Sequence, residues 1–93
     1  MKQHLLKTDP DAFDAVAQGI KTYEIRFNDR DYQVEDELIL LKTLQTGEAM
    51  KLNKLEPFYT GDIVRARVVH ILSGPIYGLA EGWVIMSILK LVG

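Results

Sequence analysis

The chain has no cysteine and only two histidines, which limits the chemistry it can carry. Without cysteine, disulfide bonds, thiolate zinc sites and thiol nucleophiles are excluded. His4 and His70 lack the acidic or cysteine neighbours that a metal site needs, so we expect neither a metal nor a cofactor. Any chemistry must therefore use oxygen or amine groups.

The N-terminal residues 1–7 contain only a two-residue apolar run between charges. They predict neither a signal peptide nor a membrane span, so we expect a cytoplasmic protein without membrane contact. The 93 residues are 47% apolar, which predicts one compact domain over residues 1–93. A net charge of −2 argues against gripping long duplex DNA with the whole surface, but it allows a local basic cleft.

A strand followed by a helix is predicted at the start of the chain. His4–Lys7 forms the strand, Thr8 and Asp9 supply a cap, and Pro10 suits the first helical turn. Gly19 is placed to end the helix. Apolar residues recur at helical spacing and form a stripe that faces a sheet: Phe13, Val16, Ala17 and Ile20.

The remainder of the chain predicts strands. The acidic residues 35–37 are expected in solvent, and residues 42–57 are expected to form a hairpin arm or a long loop. The predicted strands are Leu38–Leu41, Ile63–Leu72 and Trp83–Leu91. The fold class expected is α+β, mainly β: a small bent sheet or β-barrel with one N-terminal helix packed against it.

The segment after Gly19 carries the densest chemistry. Alternation along an extended chain puts Thr22, Glu24 and Arg26 on one face, and Lys21, Tyr23 and Ile25 on the other. Glu24 and Arg26 can bind an anion or a nucleobase, or they can simply pair with each other. The Lys21 amine serves as a base if it is desolvated and as a plain cation if it stays in water.

Further candidate residues lie in the second half of the chain. Glu81 is bracketed by Gly78 and Gly82 and stands next to Trp83, which allows either a shielded carboxylate or an ordinary turn. Trp83 can stack on a nucleobase or belong to the core. Arg65 and Arg67 share a strand face and are candidates for contacts with phosphate or base.

These motifs together resemble the ASCH family (activating-signal-cointegrator homology), a branch of the PUA-like superfamily of small β-barrels. The chain is most similar to a compact bacterial and phage subgroup of unknown function. Four motifs in the same order carry the resemblance: Lys21–Arg26, Asn28–Asp31, Tyr59–Gly61 and Gly78–Val84.

The resemblance implies a PUA-like fold and a cleft between helix and barrel that takes RNA, a nucleotide or a modified nucleoside. Some small ASCH members are amidohydrolases that deacylate N4-acetylcytidine with a Lys, a Thr and a Glu. Lys21 matches that lysine, Glu24 falls where the threonine is expected, and Glu81 is a candidate for the distal glutamate.

Three hypotheses follow for the function. The first is an RNA- or nucleotide-binding module. It would use Lys21 and Arg26 in the cleft, with Thr22, Glu24, Arg65, Arg67 and Trp83 as further contacts. The second is an amidohydrolase with Lys21, Glu24 and Glu81 as catalytic groups. The third is an adaptor whose exposed strands pair with a protein of unknown identity.

Overall fold

The computed structural model of the protein describes residues 1–54 and 58–92. Seven elements follow one another along the chain: β1 (Gln3–Thr8), α1 (Pro10–Ala17), β2 (Tyr23–Phe27), β3 (Glu37–Thr43), α2 (Gly47–Leu52), β4 (Tyr59–Ser73) and β5 (Trp83–Lys90). The five strands form one curled, half-barrel sheet in the order β1-β3-β4-β5-β2. The two outermost strands are therefore β1 and β2.

The predicted fold class is confirmed: the protein is α+β and mainly β, with the N-terminal helix packed against the sheet. Strands β1 and β3 pair in parallel, and the other neighbouring strands pair antiparallel. Helix α1 buries Phe13 and Val16 against the sheet. The buried core comprises Leu6, Phe13, Val16, Tyr32, Leu38, Leu40, Val64, Ala66, Val68, Val84, Met86 and Ile88.

Helix α1 ends through glycine, as predicted. Gly19 has a φ of +78°, and the amides of Gly19 and Ile20 donate to the carbonyls of Val16 and Ala15. These two bonds form a Schellman motif, which needs a residue in the left-handed region at Gly19. The prediction that Ile20 continues the apolar stripe is wrong: Ile20 lies beyond the helix and is exposed.

Strand β4 contains an irregularity that the sequence pattern did not reveal. Its pairing with β5 shifts between Val68 and His70, as in a β-bulge. A bulge adds one residue and so reverses which side chains face inward. Ile71 therefore packs on the core, although simple alternation had placed it outside with Arg65 and Arg67.

The prediction for residues 42–57 is partly wrong. Thr43 still belongs to β3, and a short helix, α2, occupies Gly47–Leu52. The Thr46 hydroxyl caps this helix by accepting from the Ala49 amide at 3.0 Å. Residues 55–57 of the predicted segment lie outside the described residues.

The expectation of a solvated acidic segment at residues 35–37 is also wrong for two of its members. Glu35 is exposed, but Asp36 and Glu37 are buried. Asp36 accepts hydrogen bonds from the amides of Lys2 and Gln33, each at 3.0 Å, and lies 2.9 Å from Nε2 of His4. These carboxylates tie the start of β1 to the start of β3.

Within residues 1–54 and 58–92, no helix is long and apolar enough to span a membrane.

Candidate nucleotide-binding cleft

A cleft of about 380 Å³ opens between the outermost strands β1 and β2. The end of β1 and the first turn of α1 form one wall, and β2 with the start of β5 forms the other. The residues that line it are Lys7, Thr8, Asp9, Ala12, Lys21, Glu24, Ile25, Arg26, Phe27 and Trp83.

Glu24 is the buried charge of this cleft. Its side chain points inward from β2 and the residue is only 2% exposed. One carboxylate oxygen accepts from the Lys21 amine, and the other accepts from Arg26 through Nε at 3.1 Å and Nη2 at 2.9 Å. Two cations therefore share one carboxylate, so the group as a whole carries net positive charge.

Lys21 reaches this carboxylate because of where β2 begins. Alternation had placed Lys21 on the face opposite Glu24, but the strand starts only at Tyr23. Lys21 lies before the strand, and its amine folds back to contact Glu24 and the Tyr23 carbonyl, the latter at 2.6 Å. The prediction of opposite faces is therefore wrong, and most of the Lys21 side chain is covered.

Arg26 extends from β2 across the cleft to β1. Its Nη1 donates to the Lys7 carbonyl at 3.1 Å, and its Nη2 lies 3.4 Å from the Thr8 hydroxyl. Arg30 makes a similar contact with the Leu5 carbonyl at 2.8 Å. Arginine side chains, rather than a backbone ladder, thus hold the two outermost strands together at the cleft.

Tyr32 lies behind these arginines in the core. Burial raises the pKa of its phenol, and the guanidinium groups of Arg26 and Arg30 oppose that rise. Its ring also meets the His4 ring edge-on, with centroids 4.8 Å apart. Tyr32 therefore packs beside the His4–Asp36 pair at the start of β3.

Aromatic side chains form the rim of the cleft. Phe27 and Trp83 are directly opposite each other on β2 and β5, and their rings meet at 75° with centroids 5.9 Å apart. Both remain substantially exposed, at 52% and 40%. Gly82 lies against this pair: a Cβ there would lie 2.6 Å from Phe27 Cε1, so the Phe27 ring would have to shift.

Hydrogen-bond donors already occupy several carbonyls on the free edges of β1 and β2. The Thr22 carbonyl accepts from the Ile88 amide of β5, and the Asn28 amide donates to the Gly82 carbonyl just before β5, so the backbone groups of Tyr23, Ile25 and Phe27 point away from the sheet. The Phe27 carbonyl accepts from the Asp29 amide at 2.9 Å, and Lys21 takes the Tyr23 carbonyl. Side chains likewise take the Leu5 and Lys7 carbonyls of β1.

Some predicted site residues meet in the cleft and others do not. Lys21, Glu24, Arg26 and Trp83 line it together. Thr22 and Glu81 are exposed and do not line it. Arg65 instead pairs with Glu37, and Arg67 lies 4.0 Å from Glu35.

Sequence reasoning missed the contribution of β1 and α1. Lys7, Thr8, Asp9 and Ala12 line the cleft, yet Thr8 and Asp9 had been interpreted only as helix-capping residues. The Asp9 side chain makes no cap and instead accepts from the Gly47 amide at 2.8 Å. No local pattern marks these residues, because they reach β2 only through the sheet topology.

A family profile described as Domain of unknown function (DUF3850) matches residues 3–88. The chain belongs to this family. A comparison with curated proteins found no match. Since the family description assigns no activity, the function of this DUF3850 domain must be argued from the cleft itself.

Proposed function

We propose that this DUF3850 domain binds RNA or a nucleotide in the cleft between β1 and β2, as its resemblance to the ASCH family implies. One observation carries the proposal. The buried Glu24 fixes Lys21 and Arg26 at a cleft whose rim is formed by Phe27 and Trp83. Fixed cations and exposed aromatic rings are the two groups that recognise phosphate and nucleobase.

The local charge of the cleft differs from that of the whole chain. Lys7, Lys21 and Arg26 outnumber Asp9 and Glu24 among the lining residues. A cleft with a local excess of cations attracts an anion even when the protein is acidic overall. Binding should therefore weaken as salt is added.

The function of Glu24 in this proposal differs from the one expected from sequence. Both of its oxygens already accept from Lys21 or Arg26 and the residue is buried, so we assign it no contact with a base amino group. It acts as a positioning residue that holds two cations in fixed places. Positioned charges bind better than mobile ones because less side-chain entropy is lost.

The direct test is fluorescence anisotropy with a labelled, random-sequence RNA hexamer at low salt. We expect a Kd of about 1 μM or weaker, and a loss of about tenfold or more in Lys21→Ala and Arg26→Ala. Lys51→Ala is the matched control, because Lys51 is an exposed lysine of α2 outside the cleft lining.

Arg26 also joins β2 to β1, so its variant needs a folding control. Urea unfolding and far-UV circular dichroism will report whether Arg26→Ala remains folded. Unchanged RNA retention in folded Lys21→Ala and Arg26→Ala would contradict the proposal.

A second candidate is hydrolysis of an acylated nucleoside such as N4-acetylcytidine. The observation that favours it is the Thr8 hydroxyl, which lines the cleft 3.4 Å from Arg26 Nη2. It supplies a hydroxyl although Glu24 stands where the ASCH hydrolases have threonine. In this reaction water would be consumed, the amide C–N bond would break, and acetate and cytidine would form.

This candidate is tested by incubating the protein with N4-acetylcytidine and measuring cytidine and acetate. Lys21→Ala and Thr8→Val should each abolish turnover, whereas Glu81→Gln should not, because Glu81 lies outside the cleft lining. If the unchanged protein releases neither product, the hydrolase candidate is wrong and the binding proposal is unaffected.

The adaptor hypothesis has the least support. Pairing with a partner strand requires free backbone groups at a sheet edge. Lys21, Arg26, Arg30 and the Asp29 amide occupy carbonyls along both edges at the cleft. Side chains that cover an edge in this way are a known defence against strand addition.

A further inference from the structure

The outer face of β2 and β5 carries a strip of apolar side chains, of which only some line the cleft. Tyr23, Ile25 and Phe27 point outward from β2 and are about half exposed, at 48%, 47% and 52%. Across the sheet, Ile85 pairs with Ile25 and Trp83 pairs with Phe27. We name these five residues the outer strip.

Two aromatic positions lie at the ends of this strip. Phe27 with Trp83 forms one end, at the rim of the cleft, and Tyr23 forms the other, outside the cleft lining. Phe27 lies four residue steps after Tyr23, which is about 13 Å along β2. A single nucleobase is too small to contact both ends.

The charge next to Tyr23 favours a nucleic acid on this strip. The Lys21 amine lies 4.6 Å from the centre of the Tyr23 ring, so a cation that serves the cleft also flanks this aromatic position. Aromatic residues on an exposed sheet, flanked by cations, bind successive bases of single-stranded RNA. Strand addition by a protein is disfavoured here because the edge carbonyls of Tyr23 and Phe27 are occupied.

We infer that the ligand is a single-stranded RNA segment of more than one nucleotide, with one base at the Phe27–Trp83 end and a second base of the same strand on Tyr23. This inference rests on the proposed function and narrows its ligand from a nucleotide or RNA to an RNA strand. Its distinguishing residue is Tyr23, because a mononucleotide in the cleft does not reach it.

The experiment compares two probes by titration: a labelled random-sequence RNA hexamer and an equal mixture of the four ribonucleoside 5′-monophosphates. The hexamer should bind at least about tenfold more tightly than the monophosphates, since a stacked base adds roughly that much. Tyr23→Leu should remove about tenfold from hexamer binding and leave monophosphate binding within about twofold.

A matched control is Tyr77→Leu. Tyr77 is 91% exposed and lies in the turn before β5, outside both the cleft lining and the outer strip. Its substitution should change neither affinity. Trp83→Leu, in contrast, should weaken both probes, because Trp83 lines the cleft.

The possible failures are distinguishable. If neither probe binds, the proposed function fails and this inference fails with it. If monophosphates bind as tightly as the hexamer, the cleft binds nucleotides and the inference alone is wrong. If Tyr23→Leu weakens the binding of both probes equally, Tyr23 acts only by holding Lys21. That result would also overturn the inference.

A protein on the same strip is the remaining outcome. Light scattering over a wide concentration range would detect self-association of the chain. Self-association that Tyr23→Leu abolishes, without an effect on hexamer binding, would assign the strip to a second copy of the chain and contradict the inference.

Discussion

Two buried carboxylates, Glu24 and Asp36, lie at opposite ends of β1, and their partners differ in kind. Glu24, near the end of β1, is held by the side chains of Lys21 and Arg26. Asp36, near its start, is held by two backbone amides and His4. Glu24 faces a cleft that a ligand can enter, whereas Asp36 is not among the residues lining that cleft.

The difference shows that burial of a charge does not by itself mark a binding site. Buried carboxylates require hydrogen-bonding partners wherever they occur. Where backbone amides are the partners, the charge joins strands and supports the fold. Where cationic side chains at a cleft are the partners, the carboxylate fixes charges that a ligand can contact. We therefore expect substitutions at the two ends to affect different properties.

The largest expected effect is on stability at the start of β3. Asp36→Ala leaves two amides and His4 without their acceptor, so we expect the free energy of unfolding to fall by about 3 kcal/mol. Urea unfolding at neutral pH measures it. Glu24→Gln should cost clearly less, because Lys21 and Arg26 can turn toward water. If both substitutions lowered the free energy of unfolding equally, Asp36 and Glu24 could not be assigned different functions.

Gly82→Ala should disturb binding more than stability. The new Cβ would meet the Phe27 ring, which is half exposed and can move aside at little cost. The positive φ of +85° costs about 1 kcal/mol in either case. Gly78→Ala is the matched control, since Gly78 has the same φ and nothing within 4 Å of its Cβ.

The two glycine variants should therefore lose similar stability, while only Gly82→Ala weakens retention of the RNA hexamer. If both variants bind RNA as well as the unchanged protein does, the position of Phe27 has no part in recognition.

Glu24→Gln tests whether Glu24 positions cations or merely cancels charge. The substitution makes the cleft more positive, but it weakens the bonds that fix Lys21 and Arg26. We expect affinity for the RNA hexamer to fall about fivefold. Tighter binding would mean that net charge alone governs the cleft. The salt dependence, measured in parallel, should be no weaker than that of the unchanged protein.

The smallest effect concerns acid pH. Burial opposes ionisation of Asp36, but hydrogen bonds from His4, Lys2 and Gln33 outweigh it and lower its pKa; Arg65 lowers the pKa of Glu37. Each group then binds fewer protons when folded, so stability is lost as pH falls below about 4 through the folded pKa values. Urea midpoints should fall in this window and fall less in Asp36→Asn. If the urea midpoint of Asp36→Asn fell with pH as steeply as that of the unchanged protein, Asp36 would not be a source of the pH dependence.

Much of the fold follows from local patterns in the sequence. The continuous apolar run of β3 predicted a buried strand, the alternating apolar residues of β4 and β5 predicted two further strands, and Gly19 predicted the helix end. The bulge near His70 escaped prediction because it changes register without changing composition. Helix α2 was missed because it buries no residue, so it has no apolar stripe to detect.

The candidate site was predictable on one wall only. Glu24 and Arg26 stand two residues apart on β2, so their shared face could be read from spacing, whereas Lys21 lies before the strand and could not be placed in this way. The opposite wall depends on β1 lying across the cleft from β2, and that arrangement follows from strand order. For the same reason, the sequence could not predict that Arg65 pairs with Glu37 instead of reaching the cleft.

The most direct test that RNA binds in the cleft is a titration of ¹⁵N-labelled protein with the RNA hexamer, followed by amide chemical shifts. We expect shift changes concentrated in β2, at the end of β1 and at the start of β5, with the amides near Asp36 and Glu37 little affected. No changes, or changes centred on the Glu37–Arg65 pair, would contradict the assignment of the cleft as the RNA-binding site.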